Sequence, residues 1–192
     1  MRTTPQNIER FAEFADCGRV VVFDTETTGG SCSDEICQLA AAECVNGRFE
    51  RTMNVYIRPT CEMNPWAELV HGISMGYLDK HGIDPEDALH QFFDFLGSDV
   101  LLVAHNNRFE LKMLQQECAK FDFAFEPEGV EMCDTLALAR YFRPDLKNHD
   151  ALDDVMACDL PFFQISGGRR SVLGVSIGLS TVRGQKSGFL KI

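Results

Sequence analysis

No stretch of this 192-residue chain approaches the about 20 consecutive apolar residues that a membrane-spanning helix needs. Its first nine residues, Met1 to Glu9, lack the apolar core of a secretory leader. These absences predict a cytoplasmic protein with no membrane partner. None of the eight cysteines (17, 32, 37, 44, 61, 118, 133, 158) forms a C-x-x-C pair, and several sit inside apolar runs. That pattern speaks against a zinc site or disulfide frame and for reduced, partly buried thiols. Internal repeats and separating linkers are missing too, so the chain is expected to form one domain with a full core.

Basic charge is scarce: 18 Lys and Arg stand against 29 Asp and Glu, a net charge of −11. A protein that coats nucleic acid by charge alone is excluded by that balance. The scarcity is uneven, because from Ser166 onward there are five basic residues (Arg169, Arg170, Arg183, Lys186, Lys191) and no acid. An acidic body with a basic tail suits an enzyme that holds a polyanion through metal ions and a few positive contacts, and equally suits a soluble acidic domain.

What the chain does have is a run, Val20-Val21-Val22-Phe23, that reads as a buried strand and ends abruptly in Asp24-Thr25-Glu26-Thr27-Thr28-Gly29. Residues two apart on a strand point to one face, so Asp24 and Glu26 aim their carboxylates at one spot. Like charges held there are costly unless a cation lies between them, and a hard divalent ion with oxygen ligands fits. Taken alone, the string is also compatible with a solvated strand end.

Around this strand the pattern predicts a helix from Thr4-Pro5 through Ala15, strands over 19–26, 35–45 and 49–57 with an Asn46-Gly47 hairpin turn, and short helical turns over 65–70 and 75–80. Asp84-Pro85-Glu86-Asp87 starts a helix that Gly97 ends; Val100 to Ala104 is a buried strand; a helix runs from about Arg108 to Lys120. Val130 to Cys133 is a short strand, Asp134-Thr135 opens a helix through Tyr141, and 149–158 is helical by pattern. The sum is a mixed five-stranded α/β sheet flanked by helices. The tail from 166, with six glycines, is open to pairing as an edge strand, exchanging with another subunit or staying mobile.

Acidic residues fall at the first strand's end (Asp24, Glu26), one turn into the helix after the second buried strand (Glu110), and on the late helix (Asp153, Asp154). Such positions converge at the carboxyl edge of an open α/β sheet, where ligands bind. Four carboxylates there make a two-metal site, with cations about 4 Å apart able to activate a water against a phosphodiester. His149 stands close enough in sequence to take that water's proton.

The segments 23–29, 103–110 (Val-Ala-His-Asn-Asn-Arg-Phe-Glu) and 149–154 (His-Asp-Ala-Leu-Asp-Asp) resemble the three motifs of the DEDDh 3′-to-5′ exonucleases, relatives of the proofreading epsilon subunit of bacterial DNA polymerase III and of RNase T. His71-Gly72-Ile73 resembles the family loop at the terminal nucleotide, and Cys133 to Arg140 its Asp-Thr-Leu-Ala helix. The resemblance covers about 19–158. It implies an RNase H-like exonuclease domain over 1–165 with a basic tail over 166–192, and hydrolysis of DNA or RNA from the 3′ end. It further implies two Mg²⁺ or Mn²⁺ ions on Asp24, Glu26, Glu110 and Asp154, and His149 as general base. Thr25, Thr27, Ile73, His105 and Asn106 would lie near the substrate. A polymerase partner or homodimer is also implied.

Each flanking residue has a plainer reading: Thr27 shapes a turn, Ile73 is core, His105 and Asn106 cap a helix. Two departures from the family pattern stand out. Glu110 replaces an Asp and is one methylene longer, which predicts reduced activity or a shift toward Mn²⁺. The connection from Arg140 to His149 is short, so either a loop is shortened or Asn148 to Met156 matches an intervening family helix and the third motif is missing. In that second case the alternative is a catalytically silent module that binds nucleic acid or a polymerase.

Overall fold

Residues 18–126 and 130–137 are described by the structure, a computed structural model. The expected N-terminal helix, the 149–158 helix and the basic tail lie outside the described residues. Within them, β1 (Arg19–Thr27), β2 (Ile36–Val45) and β3 (Arg48–Tyr56) form an antiparallel meander. Helices α1 (Pro65–His71), α2 (Met75–His81) and α3 (Pro85–Leu96) follow, then β4 (Leu101–Ala104), α4 (Asn107–Lys120) and β5 (Met132–Asp134). The sheet order is β3-β2-β1-β4-β5, with β4 parallel to β1 and β5 parallel to β4. The mixed five-stranded sheet flanked by helices is the architecture expected.

Local chemistry explains most boundaries. Asn46 and Gly47 both take positive φ, as a tight hairpin matched to strand twist requires. Asn64, Ser74 and Asp84 each cap a helix by accepting from the amides of Trp66, Tyr77 and Glu86. Gly72 ends α1 in the left-handed region, its amide donating to Glu68. The β5 strand starts two residues later than expected and ends one residue later, because Asp134 pairs with Ala104 before its side chain caps the next turn.

Strand β1 is central and buried on both faces over Val20 to Phe23. Val21 and Phe23 pack with Leu39 and Ala41 of β2, Leu89 and Phe92 of α3, and Met113 and Leu114 of α4. Phe92 is fully buried, with its ring centroid 5.5 Å from that of Phe23. At the sheet's far end, Glu43 is a buried carboxylate held by Arg19 Nε at 2.5 Å and Arg51 Nε at 2.6 Å. The same two arginines donate to the last carbonyls of α3, at Phe95 and Leu96, where cations are favoured. The six described cysteines are all free, as expected. Among the described residues no helix is long and apolar enough to cross a membrane.

Phe92→Ala removes the ring that joins sheet and helix, and costs about 3–5 kcal/mol of unfolding free energy. Chemical denaturation checks this; a loss under about 1 kcal/mol would show that the α3 contact is not what holds the core.

Candidate active site

The site grows from a mismatch in strand length. β1 pairs with β4 only over Val20 to Val22, whereas β2 accompanies β1 to Thr27. Beyond Val22, the β4 side of β1 therefore opens into a crevice at the carboxyl edge of the parallel pair. There β4 turns at His105 and Asn106 into α4. Asp24 and Glu26 share the face of Val20 and Val22, while Thr25 lies on the opposite, buried face.

Glu110, in the first turn of α4, is 4% exposed and accepts a 2.6 Å hydrogen bond from Thr25 Oγ1. Burial pushes its carboxyl up to about 8, and the neighbouring charges of Asp24 and Glu26 add to the rise against the opposing bond from Thr25. Asp24 keeps some contact with water, yet the protein packed around it strips enough of its hydration to raise its carboxyl to about 6. The structure thus brings Asp24, Glu26 and Glu110 within electrostatic reach of one another. Hard oxygen donors carrying negative charge suit a divalent cation. Among the described residues, however, no three such side chains close on a single point that could hold an ion. Asp153, Asp154 and His149, expected to complete the set, lie outside the described residues.

The flanking residues are placed as follows. Thr25 is buried with its hydroxyl committed to Glu110. Thr27 donates to the Gly29 carbonyl at 2.7 Å and so shapes the turn after β1. Ile73 is 8% exposed and packs with Cys37 and Leu78. His105 is half-buried, its Nδ1 lying 3.0 Å from Thr135 Oγ1. Asn106 is exposed and left-handed at the start of α4, with no side-chain cap bond.

Both ends of α1 are tied to the segment that follows the acidic pair. The Asn64 amide donates to the Thr28 carbonyl at 2.9 Å, and His71 faces the Thr27 backbone. Burial holds the His71 imidazole below its ordinary value, with that backbone contact and Glu68 opposing. Its Nδ1 accepts from the Ile73 amide at 3.0 Å, so the ring proton belongs to Nε2.

Sequence reasoning missed the network behind the crevice. Glu35 accepts from the Thr60 amide and hydroxyl, and Lys120 Nζ lies 2.8 Å from it. Burial works to raise Glu35, but Lys120 and Thr60 outweigh it and hold the carboxyl at about 2. Lys120 also reaches the fully buried Glu117 at 3.2 Å. One signal was available: Glu110 and Glu117 are seven residues apart, on the helix face that also carries Met113 and Leu114.

The family model described as Exonuclease, RNase T, matches residues 21–160. The DNA polymerase III subunit epsilon of Pasteurella multocida is 33% identical over 153 residues, covering 73% of this chain and 58% of that protein. The DNA polymerase III PolC-type of Oceanobacillus iheyensis is 34% identical over 139 residues, covering 67% of this chain and 9% of that protein. The chain therefore spans little more than half of the first relative and a small part of the second. Among solved structures, exonuclease I from Methylocaldum szegediense superposes with a TM-score of 0.63 at 18% identity, covering 80% of this chain and 42% of that one. The metal-free E. coli exonuclease I complex with single-stranded DNA gives 0.60 at 17%, covering 66% and 31%. The fold they share is the RNase H-like one.

The raised carboxyls make a stability prediction. In a folded state that binds protons more tightly than the unfolded chain, stability falls as pH rises from the unfolded carboxylate range near 4.3 through about 8. Thermal melts in chelator should show the protein losing stability across pH 5–8, and Glu110→Gln should flatten that slope. Equal slopes for the two proteins would remove Glu110 as its source. Glu35, held low, titrates below this window and does not contribute to it.

Proposed function

The chain belongs to the RNase T exonuclease family, and on that premise we propose that it is a 3′-to-5′ exonuclease hydrolysing phosphodiester bonds at the 3′ end of single-stranded nucleic acid. One observation carries the reading: Glu110 at the start of α4 feels the charge of Asp24 at the end of β1, and both carboxyls are raised above their ordinary range. Asp24, Glu26 and Glu110 would hold divalent metal, Mg²⁺ or Mn²⁺, with Asp154 as a further ligand. Bound there, the metal would supply positive charge against the scissile phosphate and ease deprotonation of the attacking water.

The chain's own groups do the rest. Thr25 fixes Glu110 through its hydroxyl, so the longer side chain in place of Asp is held to one orientation. The Thr27–Gly29 turn and the Asn64–Thr28 bond tie the start of α1 to the segment after the acidic pair, which supports a role for the loop carrying Ile73 near the terminal nucleotide. His105 and Asn106 border the same crevice from the α4 side. His149 takes the proton of the attacking water at its imidazole. The relatives named as subunits of DNA polymerase III support a polymerase as partner.

A second reading, a silent module that binds nucleic acid without cutting it, draws on the Thr25–Glu110 bond, which keeps that carboxylate turned toward the strand. One assay separates the two. A 3′-labelled oligonucleotide, DNA or RNA, should release mononucleotides with Mg²⁺ or Mn²⁺, and Asp24→Asn should abolish release without lowering the melting temperature. Binding without turnover in either metal supports the silent module instead.

The Glu110 substitution has its own consequence. Shortening it with Glu110→Asp should raise the ratio of Mg²⁺-supported to Mn²⁺-supported activity, because Mg²⁺ tolerates a displaced oxygen poorly. An unchanged ratio would take Glu110 out of the metal's coordination.

A further inference from the structure

Helix α1 ends at His71, and Gly72 turns the backbone left-handed, its amide donating to the Glu68 carbonyl at 2.8 Å. The next amide, that of Ile73, has left the helix ladder, and at many helix ends it would bond back to a carbonyl of the last turn. Here it donates to the His71 ring instead, reaching Nδ1 at 3.0 Å. An amide can only donate, so Nδ1 must accept, and a neutral ring then carries its proton on Nε2. His71 is 9% exposed and Ile73 8%, so the bond is buried. The ring lies against the backbone of Thr27, the residue after Glu26, and its Nε2 makes no hydrogen bond of good geometry among the described residues. Ile73 in turn packs with Cys37 and Leu78, and Ser74 already caps α2.

Resting on the exonuclease reading above, we propose that His71 is a positioning residue: its neutral ring, set against Thr27 and accepting from the Ile73 amide, fixes where the loop 72–74 stands relative to the end of β1. Packing alone would not do this. Apolar contact has no direction, so Ile73 could shift over Cys37 and Leu78 at little cost. A buried amide that loses its acceptor costs free energy, which only a move toward water or another acceptor recovers. Gly72 makes such a move easy, because glycine takes positive and negative φ alike. The terminal nucleotide then meets the loop in the position that His71 sets, and His71 contributes to substrate affinity without touching substrate.

Two substitutions separate the acceptor from the ring. His71→Phe keeps a ring and removes the acceptor, whereas His71→Asn gives up the ring and offers a carboxamide oxygen near the place of Nδ1. Long-range ¹⁵N–¹H correlation on the full labelled chain should show His71 neutral with Nε2–H, its signals assigned by their loss in His71→Asn. Exchange of the Ile73 amide with solvent should quicken about five- to tenfold in His71→Phe, the size expected for one lost hydrogen bond, and stay near that of the unmodified protein in His71→Asn. In the cleavage assay, His71→Phe should raise KM about five- to tenfold at unchanged kcat, and His71→Asn should restore it. Nδ1–H on His71, Ile73 exchange untouched by His71→Phe, a loss confined to kcat, or His71→Asn as impaired as His71→Phe overturns the proposal. Should the chain cleave nothing, the exonuclease reading fails, while the Ile73 exchange rates still decide whether His71 holds the loop.

Discussion

Desolvation of carboxylates at the end of a buried strand, with their mutual repulsion added to it, is the constraint on which the described structure turns. Asp24 and Glu26 follow directly on four buried residues, so their backbone cannot move without disturbing the core that Val21 and Phe23 share with α3 and α4. Glu110 cannot retreat either, because Met113 and Leu114, one turn later on α4, are packed into that core. Three acidic groups are thereby kept together against their electrostatic preference. Uncompensated, such an arrangement costs stability; with a cation present, it becomes affinity.

The same molecule shows what a carboxylate looks like when the protein itself neutralises it. Glu43 sits between Arg19 and Arg51, Glu35 is met by Lys120 and the Thr60 hydroxyl, and both are held below the ordinary range. Asp24 and Glu110 shift the other way. Burial alone does not separate the two groups, since Glu110 is as buried as Glu35 and Glu43, while Asp24 stands exposed at the strand's end. Among the described residues the difference lies in the cationic partner, provided at Glu35 and Glu43. Buried carboxylates raised above their ordinary range cluster at functional sites.

Around the crevice, the connecting segments are held by polar bonds rather than by apolar packing. Thr28 exchanges hydrogen bonds with Glu35 through both its backbone and its hydroxyl, and its carbonyl receives the Asn64 amide. Lys112 donates to the Gly30 carbonyl, which fastens the loop after β1 onto α4. On the other side, Asp134 and Thr135 join the ends of β4 and β5. Loops fixed this way keep their backbone groups satisfied at the surface while holding a defined position beside the acidic pair.

By itself the sequence determined whatever depends on neighbours a few residues apart. The apolar run into Asp24, the Asn46-Gly47 turn and the helix start at Asp84 were all readable, because strand alternation, positive φ and helix capping are local effects. The family was readable as well, from motifs whose residues are contiguous in the chain. Tertiary structure alone decided the partners. Thr25 takes Glu110 and Lys120 takes Glu35, each across 85 residues of chain, and His105 takes Thr135 across 30. No period or propensity encodes such pairings. They exist because strand register and helix packing carry distant side chains to one place, where burial makes each polar group find a partner.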